Sequence, residues 1–262
     1  MGATADPALP SRPGLLDELA RLGPHFALES HPADSAPPGG WRPFAELLDD
    51  LAGRIAVVRA ALAVLGGRSA GQVELRVAVS MTQLGLTGRL VCPALGVAVL
   101  TGGLLDLDPA GLYWKPGPGN AVALSVPAQA IPAAGPPRPD LAEALADTVL
   151  AGPVRLLAEA GSRYEVSPQV LWGNVASVVH GVPGLLGAGA PDLRSRADAL
   201  VTGLLNRPPL RGTSQGPPGA GFRRRSCCLV YRLAPAEPGR AGAAAGVCGD
   251  CVLEPGAGNR GH

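Results

Sequence analysis

Four of the five cysteines in this 262-residue chain fall within 25 positions near its C-terminal end: Cys227 and Cys228 side by side, Cys248 and Cys251 as a C-x-x-C. Any fold in which they act together must bring the backbone back to the first pair after nineteen intervening residues. The second pair suits a shared ligand. Gly249 and Asp250 let the chain reverse between the two cysteines, so both sulfurs can face one point. The first pair is more discriminating, because neighbouring side chains in an extended segment project to opposite faces. Two vicinal thiols therefore converge poorly on one small ion and better on a larger group.

Composition narrows what such a thiol set is for. The formal net charge is +1 and only 16% of residues are charged, so no nucleic-acid partner is expected through bulk electrostatics. The first two dozen residues carry no cationic stretch followed by an apolar run, so no secretory leader is expected and a cytoplasmic, reducing location is the default. In that setting a cysteine cluster reads as metal-binding or redox-active before it reads as a disulfide framework. Soft thiolates select zinc or iron–sulfur clusters. The vicinal pair favours a [2Fe–2S] cluster, with zinc and a disulfide or unligated thiols as the alternatives. The sixteen uncharged residues between Arg89 and Asp106 are too few for a membrane span, which needs about twenty, and contain a proline and a glycine pair. They read as buried core, and no integral membrane segment is expected.

The rest of the chain reads as mostly helical. Residues 1–40 are rich in Pro, Gly and Ser and predict a loosely ordered lead-in with one short helical piece around Leu15 to Leu22. From Pro43, the residues Phe44, Leu47, Leu48, Leu51, Ile55, Val58 and Leu62 keep helical spacing up to Gly66 and Gly67, predicting one continuous helix. Ser69 is placed to cap the next helix, and Pro93 to open a separate one in its first turn. The runs "LYWK" and "AVALSV", separated by "PGPGN", predict a small hairpin over residues 111–126. "PAQAIPAAGPPRP" reads as a linker between an N-terminal lobe of residues 41–126 and a C-terminal lobe of residues 138–262. Asp140 starts a further helical stretch that Pro153 should kink. Ser167 and Pro168 form a cap followed by proline at the first helical position, and "PDLRSRADALVTGLLN" supplies the last helix.

Several residues near the thiols have two readings each. Arg223, Arg224 and Arg225 either favour added negative charge at a four-thiolate cluster or form a solvated basic run. Trp172, Gly173 and Asn174 read as packing elements of the helix that precedes the cysteines. His180, alone near a helix end, is assigned no role. Cys92 has no cysteine or histidine nearby in sequence and reads as a small core hydrophobe. Neither a G-x-G-x-x-G after a strand nor a P-loop is present, so any electrons must come from a separate donor.

The block "RRSCCLVYRL" followed by "GVCGDCVL" resembles the C-terminal iron–sulfur motif of the ferric-siderophore reductase family (FhuF-type), in which a vicinal cysteine pair and a later C-x-x-C hold a [2Fe–2S] cluster. Upstream, "LRVAVSMTQLGLTGRLVCPALGVAVLTGGLLDLDPAGLYWKP" resembles the family's central region, and "VSPQVLWGNVASVV" the helix before the cluster. The likeness runs from about Val73 onward, and the cysteine block is its specific part. The family usually has about ten residues between its cysteine pairs, against nineteen here. The surplus, "APAEPGRAGAA", is low-complexity and loop-forming, and lengthening a loop this much costs only about 0.6 kcal/mol in closure entropy.

The resemblance implies a [2Fe–2S] cluster on Cys227, Cys228, Cys248 and Cys251, and one-electron reduction of ferric iron held by a siderophore, releasing Fe(II) in the cytoplasm. It implies a ferric siderophore as substrate and a flavin, ferredoxin or reductase as electron donor. The alternative is a zinc-stabilised structural or regulatory protein using the same four thiolates. For the fold, the sequence predicts a mainly helical α+β protein with a small antiparallel sheet and a cluster-binding C-terminal loop region.

Overall fold

A computed structural model describes residues 14–117, 121–133, 136, 138–186, 191–217, 219, 221–233 and 248–253, apart from the side chains of residues 191 and 192. Residues 1–13 and the "APAEPGRAGAA" stretch lie outside the described residues. The protein is mainly helical α+β. Its helices are α1 (Leu15–Arg21), α2 (Phe44–Asp49), α3 (Leu51–Leu65), α4 (Leu75–Thr101), α5 (Leu141–Leu145), α6 (Arg155–Ser162), α7 (Pro168–Leu186) and α8 (Pro191–Leu205). Strands β1 (Glu29–His31), β2 (Arg42–Pro43), β3 (Tyr113–Pro116) and β4 (Val122–Pro127) form one sheet, and β5 (Ser214–Gln215) and β6 (Arg223–Arg224) form a second.

Helix α4 is the organising element. Eighteen of its residues, from Val77 to Val99, are buried, and it packs against α3, α6, α7 and α8. By length and composition it could cross a membrane, but its most apolar 18-residue window is 67% buried against the rest of the protein, as in a core helix. Pro93 does not begin a new helix: it sits inside the 27-residue α4. Tertiary packing on both sides of Pro93 outweighs the hydrogen bond that proline cannot make. Ser69 caps a short 3-10 turn, Ala70–Gln72, in a capping box with Gln72, and α4 starts only at Leu75.

The helix expected from Pro43 onward is divided. Asp50 leaves helical geometry (φ −105°, ψ 44°) and caps α3 by accepting from Gly53 N at 3.3 Å. Asp competes well for backbone amides, which explains a break in the middle of a continuous apolar stripe. At the other proline the expectation holds. A π-helical segment, Ala146–Val154, bends at Gly152 (φ −95°, ψ −116°) immediately before Pro153. Helix α7 starts at Pro168, with Ser167 Oγ accepting from Gln169 N at 3.2 Å.

The hairpin of β3 and β4 is present, with Trp114 opposite Leu124. The sheet is larger and of mixed direction, in the order β1-β4-β3-β2, with β1 parallel to β4. Its first strand comes from the segment expected to be a loose lead-in. Leu15, Leu19 and Phe26 from that segment are each no more than 1% exposed and belong to the main core, so from residue 14 onward it is built into the molecule. Proline and glycine there shape tight turns without preventing burial of the few apolar residues between them. One hydrophobic cluster runs from Leu15 to Phe222, on both sides of the stretch read as a linker.

Candidate metal centre

The four C-terminal cysteines meet where two short segments cross over helices α4 and α7. The first follows β5 and β6, which pair Ser214 with Arg224 and Gln215 with Arg223. Their turn requires Gly216, whose φ of +75° and close approach to the Gly221 backbone leave no room for a Cβ. After β6 the chain passes through Cys227 and Cys228, then turns at Leu229, which holds a left-handed φ of 70°. A non-glycine residue there is uncommon and marks a backbone fixed by its surroundings. The second segment is the C-x-x-C turn, closed by Cys251 N donating to Cys248 O at 3.1 Å. Arg224 N donates to Asp250 O at 3.0 Å and joins the turn to β6.

The vicinal cysteines point apart, as the extended-chain argument requires, and each meets one member of the C-x-x-C. Cys228 Sγ lies 3.7 Å from Cys248 Sγ, while Cys251 is near enough to Cys227 to act on it electrostatically. All five cysteines are free thiols, and 3.7 Å is far beyond a disulfide bond of about 2.05 Å. It matches the edge of a tetrahedron with metal–sulfur bonds of about 2.3 Å, which is about 3.8 Å. Among the described residues no three or more His, Cys, Asp and Glu side chains gather around a single ion position. The thiols stand as two crossed pairs. In each pair one cysteine is buried (Cys228, Cys251) and the other half-buried (Cys227, Cys248).

Backbone amides point at these sulfurs. Leu229 N donates to Cys227 Sγ and Leu253 N to Cys251 Sγ, each at 3.3 Å. The same two-residue reach recurs at both cysteines. Such donors favour thiolate over thiol and tune any metal bound there. The Cys248 hydrogen bond, against the opposing effect of burial, and the nearby Arg224 hold the Cys228 thiol down at about 5. Cys248, which provides that hydrogen bond, is pushed up in consequence. Burial raises Cys227 to about 11.

Arg224 belongs to the site and not to a solvated basic run. Its side chain is 1% exposed; Nη2 donates to Cys248 Sγ, Nη1 to Asn174 Oδ1 at 3.0 Å, and Nε lies 3.7 Å from Asp250 Oδ2. Burial alone would lower its pKa, but Cys228, Asp250 and Cys248 raise it, so the guanidinium stays charged inside the protein. Arg223 is half-buried, and Arg225 is exposed.

Asn174 does more than pack. It is fully buried, and its Nδ2 reaches Ser80 Oγ at 3.0 Å and Gln83 Oε1 at 3.1 Å. Ser80 Oγ in turn donates to Cys228 O at 2.9 Å. A continuous polar chain thus runs from Gln83 and Ser80 on α4, through Asn174 on α7, to Arg224 and the Cys248 sulfur. Ser177, one turn after Asn174, donates to the Asp250 carboxylate. Sequence reading missed Ser80, Gln83 and Ser177. The available signal was polar side chains at helical spacing in otherwise apolar segments: Ser80, Gln83 and Thr87 on α4, and Asn174 and Ser177 on α7.

The remaining candidates lie around this centre. Gly173 is where Ser226 packs on α7, leaving no space for a Cβ, and Trp172 is partly buried against the core. His180 stacks on Phe222 with ring centroids 4.0 Å apart. It lines a cavity of about 490 Å³ with Ser177, Arg223, Gly249 and Asp250, so the C-x-x-C turn forms part of an accessible wall. Cys92 is 2% exposed within α4, where burial raises it to about 11.

No protein-family model matches the chain, and no curated protein matches it.

Proposed function

We propose that this protein is a [2Fe–2S] reductase that passes one electron to ferric iron held by a siderophore, releasing Fe(II) in the cytoplasm. The observation that carries the reading is the pairing of four free thiols, with Cys228 and Cys248 at 3.7 Å and backbone N–H groups aimed at two of the sulfurs. Two separated pairs suit two metal ions better than one, which favours a binuclear cluster over a single zinc. The resemblance of the cysteine block to ferric-siderophore reductases supplies the substrate class.

When bound, such a cluster supplies reversible one-electron chemistry. Cys227, Cys228, Cys248 and Cys251 would hold it, and Arg224 offsets the negative charge gathered on four thiolates. Hard oxygen chelators grip Fe(III) far better than Fe(II), so one added electron loosens the metal without breaking the chelator. The cavity beside Gly249 and Asp250 gives a ferric chelate, or a reduced flavin or ferredoxin as donor, a close approach to the C-x-x-C turn.

Anaerobic purification followed by iron, sulfide and zinc analysis tests the cofactor. Two irons and two sulfides per chain with visible absorption are expected; a colourless protein with stoichiometric zinc would falsify this reading. Mixing the reduced protein with a ferric siderophore and an Fe(II) trap tests the activity. Failure to form Fe(II) while the cluster is present would remove the reductase assignment.

A further inference from the structure

We infer that Cys228 and Cys248 hold one iron, that Cys227 and Cys251 hold the other, and that Arg224 makes the first of these the iron that accepts the electron. The inference rests on the function proposed above and adds an internal asymmetry to it.

The pairing follows from the way the two segments cross. Cys228 and Cys248 are 3.7 Å apart, a spacing suited to two sulfurs on one tetrahedral metal. That pairing leaves Cys227 and Cys251 for the other iron, and Cys251 is near enough to Cys227 to act on it. Pairing by sequence would put both vicinal cysteines on one iron, which demands convergence from side chains that here diverge.

The asymmetry follows from Arg224. Its guanidinium donates to Cys248 Sγ and also acts on Cys228, whereas the described donors to Cys227 and Cys251 are the neutral backbone amides of Leu229 and Leu253. Charge-assisted hydrogen bonds are about twice as strong as neutral ones, and hydrogen bonding to sulfur is a main determinant of cluster potential. An added electron is therefore better stabilised on the side of Cys228 and Cys248. The one electron that a reduced flavin or ferredoxin would give up would reduce one ferric iron to ferrous with no bond made or broken, and Arg224 would hold a fixed cation beside the added negative charge.

The cation cannot swing away to solvent. Asn174 accepts from Nη1 at 3.0 Å, and the Arg224 backbone is tied to Asp250 O at 3.0 Å. Asp250 moderates the effect, with its carboxylate 3.7 Å from Nε and itself held by Ser177. Arg225, next in sequence, is exposed and donates to Ser214 O at 3.2 Å, so it serves as a control of equal charge.

The experiment compares the anaerobically purified wild type, Arg224→Gln, Arg224→Lys and Arg225→Gln by iron and sulfide content, redox titration and electron paramagnetic resonance of the reduced state. A second series replaces each ligand cysteine in turn by serine. Arg224→Gln should lower the reduced-to-oxidised ratio about tenfold or more at a fixed ambient potential, Arg224→Lys should recover part of it, and Arg225→Gln should leave it nearly unchanged. Serine at Cys228 or Cys248 should lower the potential and change the resonance spectrum more than serine at Cys227 or Cys251. Equal shifts for Arg224→Gln and Arg225→Gln, or the opposite order among the serine variants, overturn the inference with the cofactor intact. A wild type without iron and sulfide overturns the proposed function instead. If Arg224→Gln does not assemble, the serine series decides, because it leaves Arg224 in place.

Discussion

Arg224 of β6 and Asn174 of α7 share a fully buried hydrogen bond of 3.0 Å, and through it a loop-borne thiol site is fastened to the helical core. Asn174 uses its other end to hold Ser80 and Gln83 of α4, so one side chain links three elements. Removing it leaves a buried guanidinium and two buried polar groups short of partners, which is costly at low effective dielectric.

Replacing Asn174 by alanine should therefore destabilise the protein by about 2–4 kcal/mol. Equilibrium urea unfolding measures the loss. Replacing the half-buried Trp172 by phenylalanine should cost less than half as much. Near-equal losses would reduce Asn174 to an ordinary packing residue.

Two glycines of α4 should respond with opposite signs when changed to alanine. A Cβ on Gly96 would lie 2.8 Å from Leu19 Cδ2 and 3.0 Å from Phe26 Cδ1, overpacking the face on which α1 docks and costing about 1–3 kcal/mol. Gly85 has nothing within 4 Å of such a Cβ, so Gly85→Ala should gain about 0.5–1 kcal/mol from helix propensity. Thermal or urea unfolding distinguishes them, and a harmless Gly96→Ala would mean that α1 docks loosely.

Stability should fall on mild acidification, with His31 a contributor. This imidazole is 5% exposed, with Nδ1 2.8 Å from Ser125 Oγ, and burial holds it below the ordinary 6.5. The folded state thus favours neutral His31, while the unfolded chain takes up a proton near pH 6.5. The stabilisation is present above that pH and is lost as pH falls from 6.5 through the folded-state value. Unfolding free energies of the wild type and His31→Gln, compared between pH 7.5 and 5, should show a shallower decline in the variant. Parallel declines would exclude His31 as a source.

Cys92 should be dispensable for metal content. It is 2% exposed, in α4, and burial raises its thiol to about 11. Cys92→Ala should keep the iron, the sulfide and the visible spectrum of the wild type, at a stability cost of about 1 kcal/mol. Loss of the chromophore in this variant would overturn the four-cysteine ligand set.

The legible parts of the fold were those written in local pattern. The apolar spacing of α4 and α7, the Ser167 and Pro168 start of α7, the bend at Pro153 and the hairpin of β3 and β4 all follow from turn and helix chemistry over a few residues. Local rules misjudged Pro93, because a proline amid residues buried on both sides can stay helical at a cost that packing repays. In residues 14–31 they placed the short helix that became α1 but missed β1 and the docking of the segment, because frequent prolines and glycines masked its few apolar contacts.

At the site, the sequence by itself determined that four thiols lie in two close pairs, that the vicinal pair must splay, and that the C-x-x-C must turn. Partnership was decided only by tertiary structure, which brings Cys228 Sγ to 3.7 Å from Cys248 Sγ and leaves Cys227 to Cys251. The same holds for Arg224, which sequence left level with Arg223 and Arg225. Burial is a property of the assembled fold, and the crossing of β6 over α7 puts one arginine of the three against a sulfur, where burial weakens solvent screening of its charge.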